Sequence, residues 1–139
     1  MTVEDVKARL RRYNALCREC RSLARQIRCR RRDMEGLRAV KTDALPGSRG
    51  NSLESAVERI DALERRYREK LMVRDAARLN VETLIASAED ETGRDILTLH
   101  YLDGIRFEDI PERLFISSAT MWRRYDRAIR EIARKNDSE

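Results

Sequence analysis

The chain has 139 residues, of which 40% are charged and only 5% aromatic, and this composition predicts long solvated helices in one or two small domains. It argues against a membrane-spanning protein, because no apolar segment approaches the roughly 20 residues that a transmembrane helix needs. The N-terminal residues lack the apolar core of a signal peptide. Three cysteines, an odd number, indicate a reducing cytoplasm.

The net charge of +5 is unevenly distributed along the chain. Residues 1–40 carry 12 basic and 5 acidic side chains, whereas residues 52–91 carry 7 basic and 10 acidic ones. A second basic segment, residues 117–135, has six basic and two acidic side chains. Basic segments attract phosphate, but an arginine-rich helix is also a simple solvated surface. Both interpretations stay open for residues 1–40, whereas the helical pattern around residues 117–135 favours DNA.

Residues 1–91 are predicted to form a long antiparallel helical hairpin resembling a coiled coil. Apolar side chains in alternating steps of four and three are typical of a helical seam, and the breakers Pro46, Gly47 and Gly50 indicate a loop over 41–51. The two helices are therefore expected at about 3–40 and 52–90. The seam of the first helix comprises Val6, Leu10, Tyr13, Cys17, Cys20, Ala24 and Ile27.

A hairpin of two helices buries little apolar surface by itself. It needs further stabilisation from the C-terminal domain, from a second copy or from another protein. We expect a homodimer formed through the hairpin, with mutual packing of the two helices inside one chain as the alternative.

The cysteines and the single histidine do not predict a metal site or an enzyme. Cys17 and Cys20 occupy seam positions, where cysteine acts as a small hydrophobic residue, and Cys29 is expected to be exposed. A tetrahedral zinc site needs four ligands, but His100 lies far away in the sequence and is expected to pack at the end of a helix. No phosphate-binding glycine loop or histidine-based triad is present. We therefore expect no metal, no cofactor and no enzymatic activity.

Residues 92–139 are predicted to form three helices. The first ends at Gly104, and the second is a short helix with Phe107, Ile110 and Leu114 turned inward. The third begins at Ser117, whose hydroxyl can accept a hydrogen bond from a free backbone N–H. A short helix joined by a tight turn to an arginine-rich helix fits the major groove of DNA.

The same region contains a set of short motifs. They are the ending Leu99-x-Tyr101-Leu102-x-Gly104, then Glu108-Asp109-Ile110, Glu112-Arg113-Leu114, Ile116-Ser117 and Thr120, and finally Arg124 to Ala128. Together these motifs resemble the C-terminal DNA-binding region, region 4, of bacterial sigma-70-type factors, and the resemblance implies a sigma-70 region 4-like helix-turn-helix. The similarity covers about a third of the chain, from about Gly93 to Arg134, and the whole chain resembles phage and prophage late-gene regulators of the ArpU and RinA type.

Two residues depart from the pattern of that family. Pro111 stands where the family usually has a small residue such as alanine, and proline is tolerated only in the first turn of a helix. Phe115 stands where the turn often has Gly or Asn. If this position requires a positive φ, Phe115 is strained.

The third helix is predicted to bury one face and to present the other to DNA. Arg123 is the first candidate for a base contact, because a guanidinium can bond both acceptors of a guanine edge, whereas Arg124 and Arg127 suit phosphates. Trp122 is expected either to contact DNA or to pack on the domain. The buried face comprises Met121, Tyr125, Ala128, Ile129 and Ile132. The predicted DNA-binding residues are Ser117, Ser118, Ala119, Thr120, Trp122, Arg123, Arg124 and Arg127.

These features predict a DNA-binding transcriptional regulator in the cytoplasm of a bacterial host. Its expected partners are double-stranded DNA and, by the resemblance, RNA polymerase. A complete sigma factor also has a region that melts the promoter, and the charged hairpin has too few aromatic residues for that role. Two alternatives are a small subunit of a phage terminase, which packages DNA as a ring, and an adaptor that binds polymerase without touching DNA.

Overall fold

The computed structural model of the chain describes residues 1–39 and 46–137, with the side chains of residue 39 and of residues 46–51 left out of the description. All its elements are helical and no strand occurs in the described ranges, so the predicted all-α class is confirmed. In chain order they are α1 (Val3–Ala39), α2 (Pro46–Ala86), α3 (Glu91–Leu97) with a π-helical continuation (Thr98–Leu102), a 3₁₀ turn (Phe107–Asp109), α4 (Ile110–Leu114) and α5 (Ser118–Lys135).

Helix α1 begins with a reciprocal cap. The Thr2 backbone N–H donates to Asp5 Oδ2 at 3.0 Å, and the Asp5 N–H donates to Thr2 Oγ1 at 3.1 Å. This pair satisfies two donors that a helix N-terminus leaves without partners. The bond from the Thr2 backbone N–H lowers the pKa of the Asp5 carboxyl, because it stabilises the charged form.

Helix α2 starts earlier and ends earlier than the predicted 52–90. It begins at Pro46, within the predicted loop 41–51; the remaining loop residues, 41–45, lie outside the described residues. A proline at the first helical position lacks only an N–H that would have no partner, so Pro46 starts the helix instead of breaking it. The helix ends at Ala86, before Asp90, whose side chain accepts from Gly93 N and caps α3.

The chain divides into two compact units whose bounds differ from the predicted division at residue 91. One unit comprises Met1–Leu16 together with Arg74–Glu139, and the other is Cys17–Val73. The start of α1 groups with the C-terminal helices because Val6 and Leu10 are fully buried there, as is Val81 on α2. Tyr13 also accepts a hydrogen bond from Arg78 Nη1 at 3.1 Å.

The Cys17–Val73 unit is formed by parts of α1 and α2. Cys20, Leu23 and Ile27 from α1 and Ile60 from α2 are buried. Two ion pairs join the helices, Glu19 with Lys70 at 3.0 Å and Arg31 with Glu64. The partners occur in opposite order along the two helices, as expected where helices lie antiparallel. None of the helices in the described ranges combines the length and the apolar character needed to cross a bilayer.

In the other unit, α3 packs closely against α5 at Gly93. A Cβ added to Gly93 would lie 2.8 Å from the Cβ of Ala128 and 3.3 Å from the Arg124 carbonyl oxygen. A side chain at position 93 would therefore separate the two helices. The core that holds α5 in place includes Ile96, Leu97, Ile110, Met121, Ile129 and Ile132.

Candidate nucleic-acid-binding surface

Three residues, Phe115 to Ser117, connect α4 to α5. Phe115 has left-handed backbone angles of φ 56° and ψ 44°, and the N–H of Ile116 donates to the Pro111 carbonyl at 3.0 Å. The predicted strain at Phe115 is therefore present, because a side chain with a Cβ rarely adopts positive φ. Pro111 lies in the first turn of α4, where it removes no needed hydrogen bond.

Ser117 caps α5, as the sequence predicts. Its extended backbone places Oγ 3.1 Å from the Thr120 N–H, which donates to it, and the Ser117 hydroxyl donates to Thr120 Oγ1 at 3.0 Å. The cap fixes where the helix begins and leaves Ser117, Ser118 and Ala119 exposed at that end. Exposed N–H groups and hydroxyls at a helix start suit an anion.

The predicted buried face of α5 is confirmed. All five predicted residues are buried, and Ala133 joins them; the face comprises Met121, Tyr125, Ala128, Ile129, Ile132 and Ala133. The opposite side presents Arg123 and Arg127, which are exposed, whereas Trp122 lies beside the buried Tyr125 and is also exposed. Thr120 and Arg124 are intermediate between the two faces.

Three arginines of the predicted site have different surroundings. Among the described residues, Arg123 donates only to Thr120 Oγ1, at 3.1 Å, and its side chain is exposed. Arg127 pairs with Glu131 at 3.4 Å while its own side chain stays 66% exposed. Arg124 pairs with Asp90 at 3.2 Å and is therefore tied to the N-terminus of α3.

Trp122 packs at the edge of an aromatic cluster. Its ring centroid lies 4.8 Å from that of Phe107 and 5.6 Å from that of Tyr125, yet 44% of the residue is exposed. His100 stacks on Phe107 at 3.6 Å and donates from Nδ1 to the Ile105 carbonyl at 2.8 Å. The predicted packing role of His100 is confirmed. Trp122 therefore packs against the cluster while much of the residue stays exposed.

A shallow groove runs along the exposed face of α5, and it contains two arginines that the sequence-based site left out. Arg130 and Arg134 continue the spacing of Arg123 and Arg127 in steps of three and four, so the four side chains lie in one row. That spacing was the available signal for them. The groove is lined by Glu89, Arg123, Asp126, Arg127, Arg130, Glu131 and Arg134.

Two acidic residues of the groove are already engaged by other groups. Glu131 accepts from the backbone N–H of Glu89 at 2.8 Å in addition to Arg127. The Lys135 ammonium lies 3.0 Å from the Glu89 carboxylate and lowers the pKa of that carboxyl. These contacts partly neutralise both acids, whereas Arg130 and Arg134 form no ion pair with the described residues.

In the described ranges, no group of three or more His, Cys, Asp or Glu side chains is arranged to hold a metal ion. Cys20 is buried and Cys17 is partly buried, in agreement with their seam positions, and Cys29 is exposed, as expected.

No family model, no curated protein and no solved structure matches the chain. Function is therefore inferred from the residues and their arrangement alone.

Proposed function

We propose that this protein is a DNA-binding transcriptional regulator of phage or prophage type that recognises a promoter or operator through the first turns of α5. In this proposal, an antiparallel hairpin from α1 and α2 is followed by a sigma-70 region 4-like helix-turn-helix. It acts as a binding protein in a bacterial cytoplasm, without enzymatic activity. RNA polymerase and a second copy of the chain are its further proposed partners.

The observation that carries this proposal is the division of α5 into two opposite faces. Its apolar face is buried, whereas Ala119 and Arg123 are exposed on the opposite face, and Ser118 and Trp122 are exposed near the start of the helix. A helix presented in this way at its N-terminal end can enter the major groove, where side chains contact base edges. The three-residue connection from α4 supports the same proposal, because such tight turns join the two helices of DNA-binding motifs.

Within the site, the residues are proposed to have different roles. Arg123 contacts a base, because its guanidinium has no ion pair in the described structure and lies near the start of α5. Ser117, Ser118 and Thr120 contact phosphate at the helix start, while Ala119 and the exposed edge of Trp122 contact apolar groups in the groove. Arg127 binds phosphate, and Arg124 supports the site through Asp90.

A pair of variants on α5 tests the proposal. Arg123→Ala should weaken binding to a selected duplex by about 1–3 kcal/mol and relax the preference at one base position. Arg130→Ala removes the same charge two turns further along the same face. It should weaken the binding of all duplexes to a similar extent. Fluorescence anisotropy with a selected and a scrambled duplex measures both effects.

If Arg123→Ala weakens binding to the selected and the scrambled duplex equally, as Arg130→Ala does, then Arg123 does not recognise a base edge and the proposal fails. Retention of transcriptional activity by Arg123→Ala would instead favour the polymerase adaptor. Assembly into rings of eight or more copies would favour the terminase subunit.

A further inference from the structure

The positive charge of the chain is concentrated in the unit that does not contain α5. Residues 17–73 carry 15 basic and 9 acidic side chains, a net charge of +6, whereas the rest of the chain carries 15 basic and 16 acidic ones, a net charge of −1. The proposed DNA-binding helix therefore belongs to a unit with little net attraction for DNA. The Cys17–Val73 unit is the stronger electrostatic attractor.

Five arginines of α1 lie on one face of this unit. Their spacing is three, four, three and four residues, which places them within about 80° of arc around the helix axis. Each of them is exposed, and the opposite face carries the buried Cys20, Leu23 and Ile27. The acidic residues of this part of α1, Glu19 and Asp33 among them, lie outside the arc. The arginine stripe consists of Arg18, Arg21, Arg25, Arg28 and Arg32.

The arginine stripe is not used to join the two helices of the unit. The ion pairs between α1 and α2 use Arg31 and Lys70, both outside the stripe. Within the described residues, Arg18, Arg21, Arg25 and Arg28 form no ion pair, and Arg32 contacts only the Cys29 sulfur at 3.6 Å.

Like charges three and four residues apart destabilise a helix. The stripe contains four consecutive pairs of this kind and no acidic residue of α1 within its arc, so the repulsion within α1 opposes folding. A binding partner with a row of negative charges would relieve that repulsion. A helix surface that only contacts solvent would be more stable if basic and acidic side chains alternated along it, as Arg78 and Glu82 do on α2.

We propose that the arginine stripe binds the phosphodiester backbone of duplex DNA as a second, sequence-independent contact surface. The stripe spans 15 residues, or about 21 Å along the helix axis, and a DNA strand offers one phosphate per ~3.4 Å of its axis. A regular row of guanidinium groups fits such a regular row of phosphates, and every position is arginine, which binds phosphate in a bidentate manner. The duplex as ligand rests on the proposed function of α5.

A triple variant, Arg21→Gln, Arg25→Gln and Arg28→Gln, tests the stripe directly. The matched control is Arg59→Gln, Arg65→Gln and Arg66→Gln, which removes the same charge from exposed α2 positions of the same unit that do not form a row in steps of three and four. Binding of a duplex of random sequence is followed by fluorescence anisotropy between 50 and 200 mM salt. Circular dichroism checks the helix content of each variant, and the glutamines should preserve it because they remove repulsion.

Each phosphate contact contributes ~0.9 to the slope of log affinity against log salt concentration. The stripe variant should therefore lose about 2.7 from the slope, and over this fourfold salt range its affinity should fall about 40-fold less than that of the unchanged protein. The control variant should change the slope by less than about 1. Equal slopes for the stripe variant and the control would overturn the proposal.

The two proposals fail in different ways. If the protein binds one sequence selectively and the stripe variant keeps its salt slope, the stripe proposal is overturned while the function of α5 stands. If the protein binds DNA without sequence preference and the stripe variant loses that binding, the stripe proposal holds and the function of α5 fails. If no duplex binds, and the stripe variant instead loses binding to purified bacterial RNA polymerase, the stripe is a protein-binding surface and the proposal is overturned.

Discussion

The guanidinium of Arg124 lies 3.2 Å from the carboxylate of Asp90, the residue that caps α3. Asp90 uses its other oxygen to accept the Gly93 N–H at 3.2 Å. The pair therefore connects α5 to the start of α3 across 34 positions of sequence. The pair helps to hold α5 in its orientation against α3. Arg124 therefore contributes to the candidate site by positioning the helix.

Arg124→Gln should lower the free energy of unfolding by about 1 kcal/mol, because the charged cap of α3 loses its partner. The neighbouring variant Arg123→Gln removes the same charge but, within the described structure, only the hydrogen bond to Thr120, and should change stability by less than about 0.5 kcal/mol. Urea unfolding followed by circular dichroism measures both. A larger loss of stability in Arg123→Gln than in Arg124→Gln would show that the pair of Arg124 with Asp90 does not stabilise the domain.

Gly93→Ala should destabilise the protein by about 1–3 kcal/mol, because the added Cβ meets Ala128 at 2.8 Å and forces α3 away from α5. Gly36→Ala is the matched control. In the described structure, no atom beyond the neighbouring backbone of α1 lies within 4 Å of its added Cβ, and alanine favours a helix over glycine, so stability should rise by about 0.5–1 kcal/mol. Thermal unfolding should give a lower Tm for Gly93→Ala and a higher Tm for Gly36→Ala than for the unchanged protein. A Gly93→Ala protein as stable as the parent would contradict the close approach of the helices.

Phe115→Gly should stabilise the protein by about 1 kcal/mol, because glycine adopts the left-handed backbone without strain and the lost ring is almost entirely exposed. Phe115→Ala keeps a Cβ in the same conformation and should leave stability within about 0.5 kcal/mol. Chemical unfolding of the two variants separates backbone strain from the ring. A loss of stability in Phe115→Gly would mean that the ring is buried in solution.

The protein should lose stability above about pH 10 through Tyr101 and Tyr125. Burial raises the pKa of both phenols, whose hydroxyls lie 2.8 Å apart in the core. Above pH 10 the unfolded state releases these protons while the folded state keeps them, so stability is full below that pH and falls as the pH rises.

The measurement is an alkaline titration that follows tyrosinate absorbance and helical circular dichroism together. Absorbance from these two residues should appear only as the helices unfold. A variant with Tyr101→Phe and Tyr125→Phe removes both hydroxyls at once and should lose part of this dependence on pH. Titration of all four tyrosines in the folded protein would contradict the buried pair.

The sequence predicted the parts of the fold that depend on local pattern. The buried face of α5 follows from residues that recur once per helical turn, such as Met121, Tyr125 and Ile129, and the Ser117 cap follows from its own side chain. The same logic identified the possible strain at Phe115. Each of these features is decided within a few residues of chain.

Features that join distant residues could not be predicted in this way. The pairing of Arg124 with Asp90 spans 34 residues, and the burial of Val6 in the core of the C-terminal helices spans far more. The start of α2 at Pro46 was also missed, because proline both ends helices and begins them, and the flanking sequence did not decide between these roles.

The most direct test of the central proposal, that α5 recognises a DNA sequence, is to select duplexes from a random pool with the purified protein. Anisotropy titration of the selected duplex against bulk DNA at fixed salt then gives the specificity ratio. We expect a ratio of about a thousandfold or more, in the range of sequence-specific regulators, and its reduction in Arg123→Ala. A pool that yields no preferred sequence, with equal affinity for all duplexes, would contradict the account.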